Sequence, residues 1–146
     1  MDNNTKNFGA FLDRTLKIIR HNYLKAFRDN DLDITTEQWV ILDRLYKEDG
    51  LSQNELASDS FKNAPTISRI IDLLCKKGLT QRKQSSADRR SFHVFLTDQG
   101  RKTCQRAYPI VNGLRAQGWQ ELSDQDYDDL LRILNQIAEN FRSPTP

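Results

Sequence analysis

The chain has 146 residues, 37% of them hydrophobic and 29% charged, with a formal net charge of +2: enough for a single domain with a real core and too little for two. No apolar run approaches the roughly 20 residues a membrane span requires, and the opening MDNNTKNFG carries neither a basic n-region nor an apolar h-region, so a cytosolic protein is expected. Cys75 and Cys104 lie outside any CxxC or ligand spacing, and His21 and His93 are the only imidazoles, so no disulfide framework, metal site or cofactor is expected.

Phe8, Phe11, Leu12, Thr15, Leu16, Ile19, Tyr23 and Phe27 recur at three- and four-residue steps, which predicts a long first helix with one apolar stripe, ending near RDNDLD. TTEQWVILDRLYKEDG predicts a second helix with Thr35 as N-cap, Gln38 completing a capping box, a Trp39, Val40, Leu42, Leu45, Tyr46 face, and Gly50 as the stop. Ser52 and Glu55 have capping-box spacing for a short third helix that buries Leu56 and Ala57. In FKNAPTISRIIDLLCKKG, Asn63 caps, Pro65 sits in the first turn, Gly78 stands at C′, and Ile67, Ile70, Ile71 and Leu74 share a face opposite Thr66, Arg69 and Lys76, with Ser68 and Asp72 at its edges.

After Gly78 the period changes to two. LTQRKQ and SFHVFL read as strands joined by a loop from Ser85 to Arg89, with Phe92, Val94 and Leu96 on one side. Thr97 caps a further helix that Pro109 bends or interrupts after Tyr108, and Ser123 caps a last one that buries Tyr127, Leu130, Leu131, Leu134, Ile137, Ala138 and Phe141 before a frayed SPTP tail. The order predicts a mainly α fold with a small two-stranded β-hairpin wing, that is, a winged helix-turn-helix with terminal helices.

The small net charge conceals a segregation. Residues 62–106 hold eleven Lys or Arg against Asp72, Asp88 and Asp98, whereas the remainder holds eleven against seventeen Asp or Glu, an asymmetry that suits a polyanion. A helix whose first turns carry Asn63, Thr66, Ser68 and Arg69 has the hydrogen-bonding groups a major groove requires; the alternative is a solvated polar face. On the hairpin, Arg90 has the planar, weakly hydrated head that suits a minor groove, and Asp88, two residues earlier, is placed to aim its guanidinium. Arg82, Lys83 and Arg89 are placed for flanking phosphates, the alternative again being a solvated tip.

Three blocks, ITTEQWVILDRLYKEDGLSQNELA, NAPTISRIIDLLCKKGLTQRK and DRRSFHVFLTDQG, resemble the MarR family of bacterial transcription regulators. Asp88, Arg90, Ser91, Val94, Leu96, Thr97 and Gly100 match its wing pattern D-x-R-S-x-x-V-x-L-T-x-x-G, and the likeness runs from about the first helix to the last. The resemblance implies one MarR-like domain over residues 1–146, with a DNA-binding lobe at about 35–100 and dimerisation helices at about 5–30 and 101–142. It implies a homodimer on double-stranded DNA, contacted by Thr66, Ser68 and Arg69 on the helix and by Arg90, oriented by Asp88, on the wing. It also implies a small aromatic or phenolic ligand, for which Tyr23, Trp39 and Tyr46 are the candidate lining, with aromatic core packing as the alternative reading.

The terminal helices independently carry more apolar surface than one small domain covers, and a second copy would cover it. The family's oxidant-sensing branch has a cysteine near the start of the first helix, where this chain has Phe8, Phe11 and Leu12. Cys75 reads as an inert small hydrophobe, and Cys104 as either that or a thiol activated by Arg101, Lys102 and Arg106. The expected function is therefore a ligand-responsive repressor binding a pseudo-palindrome as a homodimer; the alternatives are a winged-helix protein-interaction module with a basic face and a thiol-based redox-responsive regulator. No nucleophile, base and orienting group stand together, so an enzyme is not expected.

Overall fold

The computed structural model describes residues 2–60 and 62–142; the tail expected to fray lies outside them. After a single 3-10 turn (Asn3–Thr5), the order is α1 (Phe8–Asp29), α2 (Thr36–Lys47), β1 (Leu51–Ser52), α3 (Gln53–Ser60), α4 (Ala64–Lys76), β2 (Thr80–Gln84), β3 (Phe92–Leu96), α5 (Asp98–Gly118) and α6 (Asp124–Arg142). Contacts divide the chain into two units, residues 1–112 and 113–146.

The first unit is organised by its caps. At α2 the Thr35 hydroxyl accepts from Gln38 N–H at 3.1 Å while the Gln38 side chain accepts from Thr35 N–H at 3.2 Å, so two otherwise orphaned amides are satisfied together. Ser52 and Glu55 do the same at α3. At the far end of α4, Gly78 N–H bonds Cys75 O and Leu79 N–H bonds Leu74 O; this double closure needs a left-handed residue, which Gly78 supplies at φ +75°. Ile67, Ile70, Ile71 and Leu74 of α4 are buried with Phe27, Trp39, Leu42, Leu45, Leu56 and Val94 in one core. The helix-turn-helix of α3 and α4 and the wing of β2 and β3 are thus built on shared apolar side chains, which is the winged helix-turn-helix the sequence predicts.

Several expectations change. The sheet has three strands in the order β1-β3-β2, all antiparallel, because Leu51 and Ser52 pair with Val94 and His93 before α3 begins. An isolated hairpin is marginal in water, and the extra strand covers its inner edge. Helix α2 ends at Lys47, so Gly50 lies in the turn that leads to β1 and does not stop the helix. On α2 the inward face takes Ile41 and leaves Val40 exposed, and Phe92 at the wing margin is 42% exposed. Pro109 does not interrupt α5, which runs on to Gly118; its missing N–H leaves the Gln105 carbonyl without its helical donor, and both residues are exposed to water.

In the second unit, Ser123 and Asp126 cap α6 reciprocally and Trp119 meets Tyr127 edge-on at 5.5 Å. No residue of α6 is buried, so the apolar row expected to be covered stands largely in the open. The stripe of α1 likewise buries only Phe27.

Candidate functional site

The start of α4 is shaped by its cap. Asn63 Oδ1 accepts from Thr66 N–H at 2.9 Å, and Pro65 fills a position where a backbone donor has no helical partner. The cap engages the oxygen of Asn63 and leaves its two Nδ2 donors for a partner. With four apolar residues of α4 pinned inside, Arg69 is exposed and Thr66 and Ser68 are half-buried on the rim. Among the described residues the Arg69 guanidinium makes no ion pair or hydrogen bond with the rest of the chain.

At the wing tip Asp88 acts through the backbone. Its Oδ1 accepts from Arg90 N–H at 2.9 Å, its Oδ2 from the Ser91 hydroxyl at 3.1 Å, and its carbonyl from Ser91 N–H at 3.1 Å. The expected bond from Asp88 to the Arg90 guanidinium is not formed: in a tight turn a carboxylate two residues back reaches the N–H, while the long side chain extends away. Ser85 N–H to Ser91 O at 2.9 Å and Gln84 Nε2 to Arg89 O at 2.6 Å close the loop. Arg89 and Arg90 are both exposed, and among the described residues neither guanidinium is paired. Lys83, also exposed, places its Nζ 4.8 Å from the centre of the Phe95 ring.

Arg82 points the other way. Its side chain is 23% exposed and ion-pairs with Asp72, with further bonds to Gln53 and to the Ser68 carbonyl. Three of its five donors are thus engaged within the chain, so the side chain expected to meet a phosphate braces the lobe from inside. The pairing of Arg82 with Gln53 and Asp72 has no local signal in the sequence, because the partners lie 29 and 10 residues away along the chain.

The three aromatic residues singled out for a ligand belong to one packed row. Tyr23 meets Phe27 edge-on at 6.1 Å, Phe27 meets Trp39 at 6.5 Å, and Tyr108 meets both Trp39 at 5.1 Å and Tyr46 at 5.2 Å. Tyr108 donates its hydroxyl to Asp43 in a short bond; burial and then this bond push the phenol well above its usual range. A separate recess of about 470 Å³ is lined by Leu24, Arg28 and residues 31–35, and none of these aromatic residues lines it.

Cys104 is fully buried and its thiol is pushed up to about 12, first by burial and then by Asp43, with Arg101 opposing. Of the two readings of Cys104, the buried small hydrophobe fits, because desolvation outweighs the nearby Arg101. Cys75 is half-buried, 3.3 Å from the Thr80 hydroxyl. Iodoacetamide at neutral pH is accordingly expected to leave Cys104 unlabelled in the folded protein and to label it on unfolding, read by intact mass; rapid labelling of Cys104 in the native state would contradict its burial.

A sequence model described as the MarR family matches residues 34–92. Among solved structures, the S. aureus MepR–DNA complex is similar at 25% identity and TM-score 0.80, over 90% of this chain and 96% of that one. A structure of the transcriptional repressor CouR bound to a 23-mer DNA duplex is similar at 30% identity and TM-score 0.78, over 89% and 91%. A MarR transcriptional regulator from Methanosarcina mazei Go1 is similar at 26% identity and TM-score 0.76, over 91% and 94%.

Proposed function

The chain belongs to the MarR family, and from that premise we propose that it is a sequence-specific double-stranded DNA-binding transcription regulator, a ligand-responsive repressor that binds a pseudo-palindromic operator as a homodimer. The observation that carries the reading is the pair of exposed guanidinium groups of Arg69 and Arg90, unpaired among the described residues, one on α4 and one on the wing of the same lobe. MepR and CouR were solved on DNA, and CouR is described as a repressor, which supports the same use here.

In this reading Thr66, Ser68 and Arg69, with the Nδ2 of Asn63, face base edges in the major groove, and Arg90 enters the adjacent minor groove. Asp88 supports Arg90 by fixing the turn beneath it, and Lys83 and Arg89 meet phosphates. The chain acts as one domain whose lobe spans about residues 35–100. The exposed apolar faces of α1 and α6 pair with those of a second copy, which gives a palindrome its two readers. The signal is a small aromatic or phenolic compound engaging the row that contains Tyr23, Trp39 and Tyr46, so that binding shifts the population away from the DNA-competent form. Release of bound DNA on titration with phenolic compounds tests that arm.

Selection of duplexes from a random pool, followed by titration with an Arg90→Ala variant, tests the whole. The variant is expected to bind about 1–3 kcal/mol more weakly and to lower the salt slope by about one, whereas Arg69→Ala also relaxes base preference. Wild-type affinity indifferent to sequence would sink the regulator, and an Arg90→Ala protein as tight as wild type would sink the wing contact.

A further inference from the structure

Arg82 stands opposite Val94 in the β2–β3 register. Cross-strand partners share a face, and Val94 is fully buried, so the arginine is turned toward the helices. There its fork reaches three places at once: Nε donates to Gln53 Oε1 at 2.6 Å, Nη1 to Asp72 Oδ1 at 2.5 Å and Nη2 to the Ser68 carbonyl at 3.0 Å. Gln53 is the first residue of α3, and Ser68 and Asp72 lie one turn apart on α4. A single residue of the wing strand therefore holds both helices of the helix-turn-helix.

The clamp flanks Arg69, which directly follows Ser68 and stands three residues before Asp72 on the same helix. Asp72 is also an acidic residue inside the basic segment, and left bare beside a DNA-facing side chain it would repel phosphate; here its charge is answered by Arg82. We propose that Arg82 is a positioning residue for DNA reading: by tying β2 to Gln53, Ser68 and Asp72 it fixes the offset between Arg69 on α4 and Arg90 at the wing tip, so that both guanidinium groups reach their grooves in one docked pose. The inference rests on the DNA-reading role proposed above and adds a residue that sets selectivity without touching DNA. Lysine cannot replace it, because one ammonium lacks the planar fork that spans three partners.

The test compares the duplex selected by the wild-type protein with a scrambled duplex of equal length, across salt concentrations, for variants shown by thermal melting to be folded. Arg82→Lys is expected to lose on the order of tenfold in affinity for the selected duplex, with scrambled-duplex affinity and salt slope unchanged. Asp72→Asn, nearly isosteric, is expected to bind the selected duplex more weakly although a negative charge is gone, while binding the scrambled duplex somewhat more tightly. The double variant Arg82→Gln with Asp72→Asn is expected to be no worse than Arg82→Gln alone, since both remove one clamp. An Arg82→Lys protein equal to wild type on both duplexes would point to a plain charge contact and overturn the inference, as would Asp72→Asn tightening both duplexes alike. A wild-type protein without sequence preference would overturn the regulator reading itself, and this inference with it.

Discussion

Replacing Leu131 with Asp is expected to convert the protein to a monomer and to lower its affinity for a two-half-site duplex by on the order of a thousandfold. The reason begins with α6, whose apolar residues recur at helical spacing yet leave Leu130 39% and Leu131 40% exposed. Tyr127, Ile133 and Phe141 on α6, and Phe8, Phe11, Leu12 and Leu16 on α1, are likewise exposed. Water-facing stripes of this kind are where monomeric proteins do not leave leucines and phenylalanines in rows. A carboxylate within a stripe that a second copy covers must be desolvated without a partner, which opposes association far more strongly than loss of the leucine alone.

The expected loss follows from linkage. Two lobes joined in one dimer present the second recognition helix at a high effective concentration once the first has docked, and a monomer forfeits that advantage with every direct contact intact. Affinity for a single half-site should therefore stay near wild type while the two-half-site affinity collapses. Light scattering gives the mass and DNA titration gives both affinities. A Leu131→Asp protein that remained dimeric, or kept its two-half-site affinity within a few-fold, would remove the homodimer from the proposal.

What could be read from the sequence was what is local. Asn63, Pro65 and Gly78 mark the ends of α4 by short-range geometry, and Ile67, Ile70, Ile71 and Leu74 mark its inner face by period, so α4 is legible in the residues themselves. The two capping boxes at α2 and α3 are legible for the same reason. β1 is not, because two residues have no periodicity, and Leu51 becomes a strand only through Val94, far along the chain. Arg82 looked like one more basic residue of a hairpin, since alternation cannot separate an inward arginine with distant partners from an outward one. Asp88 was found by its spacing, but spacing alone does not tell whether its carboxylate meets a guanidinium or an amide two residues on. Along α6 the amphipathic pattern predicts that a face is covered without saying by what, and within one chain that face stands largely open.

The largest expected effect on folding comes from Gly100→Ala, at the final position of the wing pattern. A Cβ built on Gly100 would lie 2.0 Å from the Leu79 carbonyl oxygen and 2.9 Å from its carbon, and both are backbone atoms without a rotamer to change. That carbonyl is itself held by Thr97 N–H at 3.1 Å, while the Thr97 hydroxyl donates to Gly78 O at 2.6 Å and accepts from Gly100 N–H at 3.0 Å. The first turn of α5 is therefore pressed against the chain between α4 and β2, and a methyl group forces the two backbones apart by roughly 1 Å or more. Overpacking against fixed backbone is expected at the upper end of the usual range, about 3 kcal/mol, which for a chain of this length lowers Tm by about 10 °C. Gly113, inside the same helix, supplies the control, since a Cβ added there would meet nothing within 4 Å among the described residues beyond its chain neighbours and its own helix backbone. There the same substitution removes only unfolded-chain freedom and is expected to stabilise by about 0.5–1 kcal/mol. Opposite shifts in Tm, measured side by side by circular dichroism, are the expected result. Equal small shifts at both positions would show that α5 does not seat its first turn on the Leu79 carbonyl.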